Sequence, residues 1–246
     1  MARIRLDQLL VDRGLVESRS RAQALIMAGL VYSGERKLEK AGQQVAPDLA
    51  LDVRGQDHPW VSRGGLKLAH ALEHFAINPT GAVCIDVGAS TGGFTDVLLQ
   101  NGAAKVYAVD VGHGQLAWKL RSDERVIVLE KTNARYLSRA EIPEPADLVV
   151  CDASFIGLKT VLPAALALSK KGSSLIALIK PQFEAGREHV GKGGVVRDPD
   201  IHTAVCENIQ GWLNGLGNWS VSGIVESPIT GPEGNIEFLI AANKSA

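Results

Sequence analysis

Residues 84–112 read CIDVGASTGGFTDVLLQNGAAKVYAVDVG, and this stretch decides the fold. It opens with an apolar run around Asp86, passes through a glycine-rich bend, continues with a helical pattern and closes with a second apolar run that ends at Asp110. Two strand-like runs on either side of a helical segment are typical of a unit whose strands lie parallel in one sheet. The stretch therefore predicts the first two strands of an open α/β fold, with a ligand site beyond their carboxyl ends.

Strand and helix patterns continue to alternate through the rest of the chain. Apolar, β-branched runs recur in AVCIDVG, AKVYAVDVG, RVIVLE, ADLVVCDASF and SSLIALIKPQFE. Such runs are typical of strands buried on both faces, which favours a mostly parallel sheet with helices on each side. The last two strand-like segments, WSVSGIVESPIT and NIEFLIAAN, are separated by only GPEG, which predicts an antiparallel hairpin. We therefore predict a Rossmann-like α/β fold with a seven-stranded, mostly parallel sheet that ends in an antiparallel hairpin.

The first 54 residues differ in character from the rest. Residues 1–40 hold eight Lys or Arg against five acidic residues, a net charge of +3, whereas the remaining 206 residues sum to −4. Apolar residues at helical spacing predict two short helices, with Gly14 ending the first and Ser18 capping the second. We predict a small α+β domain over residues 1–54, a linker over 55–61 and the α/β domain over 62–246. The charge asymmetry favours a nucleic-acid-facing end, and a solvated surface is the alternative.

Composition argues against membrane and metal-binding classes. The chain has 246 residues, of which 46% are hydrophobic, enough for one large core and a small extra module. No apolar run approaches the ~20 residues that cross a bilayer, and the N-terminus lacks the apolar core of a signal peptide. We expect a cytoplasmic protein without a membrane span. His70 and His74 lack a third ligand in sequence and the three cysteines are widely spaced, so we expect no metal site.

The glycine-rich bend narrows the choice of ligand. Small residues after the first strand let the backbone approach a ligand closely, and Asp110 ends the second strand, where a carboxylate can accept hydrogen bonds from both ribose hydroxyls of a nucleoside. The strict G-x-G-x-x-G of dinucleotide sites is absent, because Gly88, Gly92 and Gly93 have the spacing G-x-x-x-G-G. A P-loop is absent as well. Glycines that merely form a turn are the alternative.

The pattern D-x-G-x-x-x-G-G-F resembles the turn of S-adenosylmethionine (SAM) enzymes, and GAxxGGF resembles the FtsJ-like RNA 2′-O-methyltransferases in particular. The resemblance implies SAM as cofactor. It places Asn133, in EKTNARYL, near the adenine, with a turn-forming asparagine as the alternative. The implied cofactor-binding residues are Asp86, Gly88, Ala89, Ser90, Thr91, Gly92, Gly93, Phe94, Asp110, Asn133 and Asp152.

Methyl transfer to a ribose requires a base, because a 2′-hydroxyl is a poor nucleophile. A lysine can serve once burial and a second nearby cation lower its pKa. Lys180 and Asp152 end strand-like runs, Lys67 lies in the helical segment GGLKLAHALEHF and Glu237 begins the last strand. FtsJ-like enzymes have a Lys-Asp-Lys-Glu tetrad, which these four residues match in order.

The charges of the four residues indicate a role for each. We expect Lys180 to be the base, Asp152 to orient it, Lys67 to depress its pKa and position the hydroxyl, and Glu237 to orient Lys67 or the ribose. Each residue taken singly has another reading: a surface lysine for Lys67, a turn cap for Asp152 and an edge-strand charge for Glu237.

The N-terminal segments RLDQLL, GLVESRSRAQALIMAGLVYSG and KAGQQV resemble the S4 RNA-binding domain. The resemblance implies that Arg5, Arg19 and Arg21 face RNA, and arginine offers forked donors that match phosphate oxygens. The loop GREHVGKGGVVRD, beyond the strand that ends at Lys180, is basic and flexible enough to serve as a lid over an RNA backbone. Solvated surface charges are the alternative for both regions. The candidate RNA-binding residues are Arg3, Arg5, Arg19, Arg21, Lys37, Arg187, Lys192 and Arg197.

An S4-like segment before an FtsJ-like one, with VSRGGLKL at the junction and VGKGGVVRD later, resembles the TlyA family over the whole chain. The resemblance implies SAM-dependent cytidine 2′-O-methylation of ribosomal RNA on ribosomal subunits. Because many members carry the name hemolysin, a membrane-acting hemolysin is one alternative, and it would need an exposed amphipathic or spanning segment. A catalytically silent RNA-binding protein is another, against which the intact Lys67, Asp152, Lys180 and Glu237 set argues. A small-molecule methyltransferase would leave the S4-like segment without a purpose.

Overall fold

The N-terminal part of the computed structural model is a small α+β unit. The structure describes residues 3–13, 15–16, 18–53, 58–231 and 234–245. Two helices pack over a core of apolar side chains that includes Leu6, Leu10 and Ile26. The Ser18 side chain accepts a hydrogen bond from the backbone N–H of Arg21 and so caps the second helix, as predicted. The elements are β1 Ile4–Arg5, α1 Leu6–Asp12, α2 Arg19–Met27, β2 Val31–Ser33, β3 Arg36–Lys37, β4 Gln44–Val45 and β5 Asp52–Val53.

Some predictions for this region fall on residues that the structure does not describe. They are Gly14 as the end of the first helix, the domain boundary at Arg54 and the first linker residues, 55–57. Among the described residues, α1 ends at Asp12 and β5 pairs with β2 in an antiparallel sheet of order β3-β2-β5. β1 pairs with β4 in a separate antiparallel ribbon.

The larger part of the chain forms a seven-stranded sheet, which confirms the predicted fold class. The strand order is β11-β12-β10-β9-β6-β7-β8, and the four pairings from β10 through β8 are parallel. The strands are β6 Val83–Val87, β7 Lys105–Val109, β8 Val126–Leu129, β9 Ala146–Cys151, β10 Ser169–Ile179, β11 Trp219–Glu226 and β12 Phe238–Lys244. The helices are α3 Gly64–His74, α4 Gly93–Gln100, α5 Trp118–Arg121, α6 Leu158–Val161, α7 Pro163–Leu168, α8 Pro181–Glu184 and α9 Pro199–Gly215.

Helices cover both faces of the sheet because successive strand residues point to opposite sides. In β6, Ile85 and Val87 join a core formed with α6, α7 and α9, whereas Cys84 joins a core formed with α3 and α4. This explains the continuous apolar runs in the sequence. No helix among the described residues is both long enough and apolar enough to cross a membrane.

The terminal hairpin is confirmed, but its connection is longer than GPEG. β12 lies antiparallel between β10 and β11, and the connection between β11 and β12 runs from residue 227 to 237. Pro228 has no N–H to donate and so stops the ladder soon after Ser227, whose N–H still bonds to the carbonyl of Glu237. Residues 232–233 of GPEG lie outside the described residues. The longer connection leaves Glu237 at the edge of the sheet where the parallel strands end.

Candidate active site

Four charged side chains meet at the carboxyl edge of the main sheet. Asp152 directly follows β9, and Lys180 directly follows its parallel neighbour β10. β12 runs antiparallel to them, so it begins at the same edge, and Glu237 comes directly before it. Lys67 lies on the buried face of α3. The strand order thus brings together the four residues of the expected Lys-Asp-Lys-Glu set.

Asp152 lies between the two lysines. Its Oδ1 is 2.5 Å from Nζ of Lys180, and its Oδ2 is 3.8 Å from Nζ of Lys67. Lys67 also donates a 2.6 Å hydrogen bond to Oε2 of Glu237. Only 8% of the Lys67 side chain and 7% of the Lys180 side chain are exposed. Two cations and two anions at these distances compensate one another, as a buried charge cluster requires, because each unpaired buried ion costs several kcal/mol.

Ser154 belongs to the site although the sequence analysis did not name it. Nζ of Lys180 donates hydrogen bonds to Oγ of Ser154, at 2.8 Å, and to the backbone oxygen of Asp152, at 3.1 Å. Ser154 is exposed and lines the same cavity as the two lysines. The available signal was the segment DASF, since a hydroxyl two residues beyond the acid that ends a buried strand lies at the ligand edge of the sheet.

The glycine-rich turn between β6 and α4 lies beside this cluster. Gly88 has φ +85°, in the left-handed region that favours glycine. A Cβ at Gly88 would lie 2.8 Å from Cα of Ala153, so this turn passes directly against the backbone that follows Asp152. The absence of a side chain at this position therefore allows the glycine-rich turn and the segment after β9 to meet.

A cavity of about 770 Å³ occupies this edge of the sheet. This volume falls within the roughly 300–1,000 Å³ of ordinary small-molecule sites. Among the predicted catalytic residues, Lys67, Asp152 and Lys180 line it, whereas Glu237 is buried behind Lys67. The predicted cofactor residues that line it, besides Asp152, are Gly88, Ala89, Ser90, Thr91, Gly93 and Phe94.

Asp86 is one of four predicted cofactor residues that do not line the cavity; Gly92, Asp110 and Asn133 are the others. It is fully buried inside β6, and its Oδ2 accepts a 2.7 Å hydrogen bond from the hydroxyl of Thr95. Burial raises the pKa of Asp86 to about 7, although the Thr95 hydrogen bond opposes the shift. Asp86 therefore lies beneath the turn, where it contacts the start of α4.

Asp110 and Asn133 are engaged with nearby backbone. The Asp110 carboxylate accepts hydrogen bonds from the backbone N–H groups of Ser90, at 2.8 Å, and of Gly112, at 2.7 Å. Asp110 thus connects the glycine-rich turn to the loop after β7. Oδ1 of Asn133 accepts from the backbone N–H of Arg135 and caps a short 3₁₀ helix, Ala134–Tyr136. This is the turn-forming alternative of the sequence analysis.

The N-terminal candidates for RNA binding differ in their exposure and in the ion pairs that they form. Arg5 binds the buried Asp7 through two hydrogen bonds, of 2.9 and 2.8 Å, and Arg19 binds the same carboxylate at 3.2 Å. Both guanidinium groups remain about half exposed. Arg3 and Arg21 are exposed. The exposed Lys37 lies 3.6 Å from Glu39, so an exposed carboxylate already partly neutralises it.

The loop candidates belong to the larger part of the chain, in the segment between α8 and α9. Arg187, Lys192 and Arg197 are all exposed. The loop is attached to the β11–β12 connection through Asn235, which accepts a hydrogen bond from the N–H of Val196 and donates one to the carbonyl of Gly194. Asn235 lies two residues before Glu237, so the basic loop and the charged cluster share one supporting segment. Among the described residues, no three His, Cys, Asp or Glu side chains lie close enough together to hold a metal ion.

Two family descriptions match the chain. Residues 60–244 match the FtsJ-like methyltransferase family, and residues 4–50 match the S4 domain. The chain is 48% identical to the 16S/23S rRNA (cytidine-2′-O)-methyltransferase TlyA of Mycobacterium tuberculosis, with 97% of this chain and 89% of that protein covered. It is 40% identical to a protein named Hemolysin A from Brachyspira hyodysenteriae, with 96% and 98% covered.

Among solved structures, a provisionally named hemolysin from Streptococcus thermophilus superimposes with a TM-score of 0.78 at 43% sequence identity. The match covers all of this chain and 90% of that one. The similarity to these relatives extends over both the S4 segment and the methyltransferase segment. The chain therefore belongs to the FtsJ-like methyltransferase family and, within it, to the TlyA family, in which an S4 domain precedes the methyltransferase domain.

Proposed function

We propose that this protein transfers a methyl group from SAM to the ribose 2′-hydroxyl of a cytidine in ribosomal RNA. The observation that carries the proposal is the buried cluster of two lysines and two carboxylates beside a glycine-rich turn, at the carboxyl edge of a parallel sheet. That edge is where open α/β sheets bind their ligands. The relatives named as cytidine-2′-O-methyltransferases support the choice of ribosomal RNA as substrate.

The residues around the cavity fit SAM. The volume of about 770 Å³ accommodates a nucleoside with an amino-acid tail, and the turn of residues 88–94 offers backbone amides and two hydroxyls. The carboxylate of Asp110 already accepts two backbone N–H groups, and a carboxylate has further lone pairs for ribose hydroxyls. We propose that these residues hold the cofactor. When bound, SAM supplies an electrophilic methyl group on a cationic sulfonium.

The charged cluster supplies the acid–base chemistry. We propose that neutral Lys180 accepts the ribose proton and that Asp152 fixes the position of its Nζ. Lys67, held by Glu237, lies on the other side of Asp152 and positions the hydroxyl. With Lys180 neutral, the four residues carry one net negative charge, which favours the approach of a sulfonium cation. Proton transfer to Lys180 then restores the balance of two cations and two anions.

We propose that the basic surfaces bind the RNA backbone. The exposed candidates are Arg3, Arg21 and the loop residues Arg187, Lys192 and Arg197, together with the half-exposed Arg5 and Arg19 and the exposed Lys37. Arginine donors match phosphate oxygens in pairs, which suits backbone contacts. We further propose that residues 1–54 form the RNA-binding domain, residues 55–61 the linker and residues 62–246 the methyltransferase domain. We also propose that the protein acts in the cytoplasm, where ribosomal subunits are found.

The product identifies the reaction. Purified small and large ribosomal subunits are incubated with the protein and methyl-tritiated SAM, and the RNA is digested to nucleosides and separated. We expect the label in 2′-O-methylcytidine. Label in a base-methylated nucleoside, or label in neither subunit while the protein still binds SAM, would contradict the proposal. Adding the same preparation to dye-loaded phospholipid vesicles tests the hemolysin alternative, for which dye release is the positive result.

A further inference from the structure

We propose that Ser154 relays the proton from the ribose hydroxyl to Lys180. The inference rests on the proposed function and assigns a further catalytic residue to the same site. Among the described residues, Nζ of Lys180 has three oxygen partners: it forms an ion pair with Oδ1 of Asp152 at 2.5 Å and donates hydrogen bonds to the backbone oxygen of Asp152 at 3.1 Å and to Oγ of Ser154 at 2.8 Å.

These three partners differ in what they can do once Lys180 is neutral. The lysine ammonium has three protons to donate, and all three oxygens can accept them. A neutral amine has two protons and one lone pair. An ionised carboxylate and a backbone carbonyl only accept, whereas a hydroxyl both accepts and donates. Of the three partners, Ser154 is therefore the one that can donate to the lone pair of the neutral base.

The position of Ser154 fits a relay between substrate and base. Both residues line the cavity, but Lys180 is almost completely buried, whereas Ser154 is exposed. A ribose hydroxyl in that cavity meets a hydroxyl that is already hydrogen-bonded to Nζ. In the proposed relay, neutral Lys180 donates its two protons to the Asp152 oxygens and accepts the Ser154 proton, so the ribose proton enters through Oγ.

The segment that carries Ser154 is held at both ends. On one side, the backbone of Ala153 lies against Gly88 so closely that a Cβ at Gly88 would come within 2.8 Å. On the other side, the N–H of Leu158 donates a 2.7 Å hydrogen bond to the Glu184 carboxylate. The rings of Phe155 and Phe183 also pack together, with centroids 5.1 Å apart. The contacts of Ala153 and Leu158 restrict the segment on either side of Ser154, whereas the Phe155 ring contributes little because it is 89% exposed.

The proposed step conserves protons and charge. The ribose O–H bond breaks and its proton forms a new bond to Oγ of Ser154, while the original Ser154 proton forms a new bond to Nζ of Lys180. The ribose oxygen takes the methyl carbon, and the electron pair of the broken carbon–sulfur bond stays on sulfur. Serine ends unchanged, lysine ends as the ammonium, and the positive charge lost from the sulfonium reappears on Nζ.

The test compares Ser154→Ala, Ser154→Thr and a control, Ser220→Ala, with the wild-type protein. Ser220 is an exposed serine in the edge strand β11, near the end opposite the site. Tritium transfer from labelled SAM into ribosomal subunits is followed in single turnovers, so that the chemical step is observed. Binding of SAM and of subunits is measured separately at equilibrium.

We expect Ser154→Ala to lower the transfer rate about 10- to 100-fold, at the lower end of general acid–base effects, with both binding affinities unchanged. Ser154→Thr keeps the hydroxyl and should recover the rate to within about threefold. In mixtures of H₂O and D₂O, the wild-type rate should depend on the deuterium fraction along a curve, because two protons move together. The Ser154→Ala rate should follow a straight line.

Three results would overturn the relay. They are an unchanged rate for Ser154→Ala, a failure of Ser154→Thr to recover activity although it binds SAM and subunits, and a straight-line dependence for the wild-type protein. A wild-type protein that labels no subunit would instead refute the proposed function, and the relay would fall with it. An active wild type with an equally active Ser154→Ala refutes the relay alone.

Discussion

Two buried aspartates, one in each part of the molecule, have opposite acid strengths. Asp7 of the N-terminal unit and Asp86 of the main sheet are both fully buried. The Arg5 guanidinium, helped by Gln23 and Arg19, holds the pKa of Asp7 well below its usual range. Asp86 accepts hydrogen bonds from the hydroxyl and the backbone of Thr95, but burial outweighs them and raises the pKa of Asp86 to about 7. The acid strength of a buried carboxyl group therefore depends on the balance between burial, which dominates at Asp86, and cationic donors, which dominate at Asp7.

The N-terminal unit and the charged cluster of the main sheet also differ in the exposure of their cations. In the N-terminal unit the cations that neutralise Asp7 are half exposed, so they keep donors for a ligand in solvent and are screened by salt. In the charged cluster at the sheet edge the cations themselves are buried, and each depends on carboxylates of the same cluster. Substitutions at the sheet edge should therefore have large effects and substitutions at the basic surface small ones.

The largest effect on stability is expected for Lys67→Met. The change leaves the buried Glu237 without its cation, and removal of one partner of a buried ion pair typically costs about 3–5 kcal/mol of unfolding free energy. The double variant Lys67→Met/Glu237→Gln removes the orphaned charge and should recover much of the loss. Urea unfolding measures both variants. Equal losses in the single and double variants would show that the Lys67–Glu237 pair is not the cause.

A pH-dependent effect is expected from Asp86. Its pKa is about 7 in the folded protein and near 3.8 when unfolded, so the folded state binds the extra proton between these values. Stability should therefore fall as the pH rises from about 4 to about 7, by at most about 1.4 kcal/mol per pH unit. Asp86→Asn should flatten this slope, and the exposed control Asp48→Asn should not. Identical slopes in wild type and Asp86→Asn would contradict the assignment.

Asp7 should behave in the opposite way, with a smaller effect. The pKa of Asp7 is lower in the folded protein than in the unfolded chain. Asp7 therefore stabilises the protein above the unfolded pKa, and this stabilisation is lost progressively as the pH falls from the unfolded to the folded pKa. Arg5→Ala removes the main cause of the lowered Asp7 pKa, so the variant should lose less stability on acidification than the wild-type protein. It should destabilise the protein at neutral pH, though less than Lys67→Met, because Arg19 and Gln23 remain on the carboxylate. Acid titrations of unfolding, with Arg21→Ala as control, measure the difference.

The smallest effect on stability is expected for Arg21→Ala. Arg21 is exposed, so its loss should change the unfolding free energy by no more than about 0.5 kcal/mol. If it contacts a phosphate, RNA affinity should fall, and the slope of log affinity against log salt should decrease by about one. Filter binding at several salt concentrations measures this slope. An unchanged slope and affinity would remove Arg21 from the RNA-binding surface.

The fold and the location of the charged cluster could be predicted because both depend on strand ends. Residues that directly follow parallel strands must meet at one edge, so Asp152 and Lys180 could be placed beside each other from sequence. The predicted hairpin also placed Glu237 at this edge. The length of the connection between β11 and β12 could not be predicted, because the strand pairing ends early at Pro228. The alternation of apolar and polar segments located the strand ends, whereas the choice of these residues as one set also rested on the resemblance to FtsJ-like enzymes.

Side-chain partners could not be predicted in the same way. The sequence does not reveal that Asp110 and Asn133 bond to nearby backbone, since Asp and Asn pair with local amides as readily as with ligands. Nor does it reveal that Arg5 and Arg19 share Asp7, because that contact brings α1 and α2 together in space. Ser154 was missed for the same reason, because its hydrogen bond to Lys180 depends on the three-dimensional position of that lysine.

The central claim, that the buried cluster transfers a methyl group to ribosomal RNA with Lys180 as base, has one direct test. Wild type, Lys180→Ala and Lys171→Ala are compared in single-turnover tritium transfer from labelled SAM into ribosomal subunits, with SAM binding measured by calorimetry. Lys171 is an exposed lysine of the same strand, β10, and serves as the matched control. We predict that Lys180→Ala loses about 10²- to 10⁴-fold in rate with SAM binding retained, while Lys171→Ala remains active. Transfer by Lys180→Ala at the wild-type rate would contradict the account.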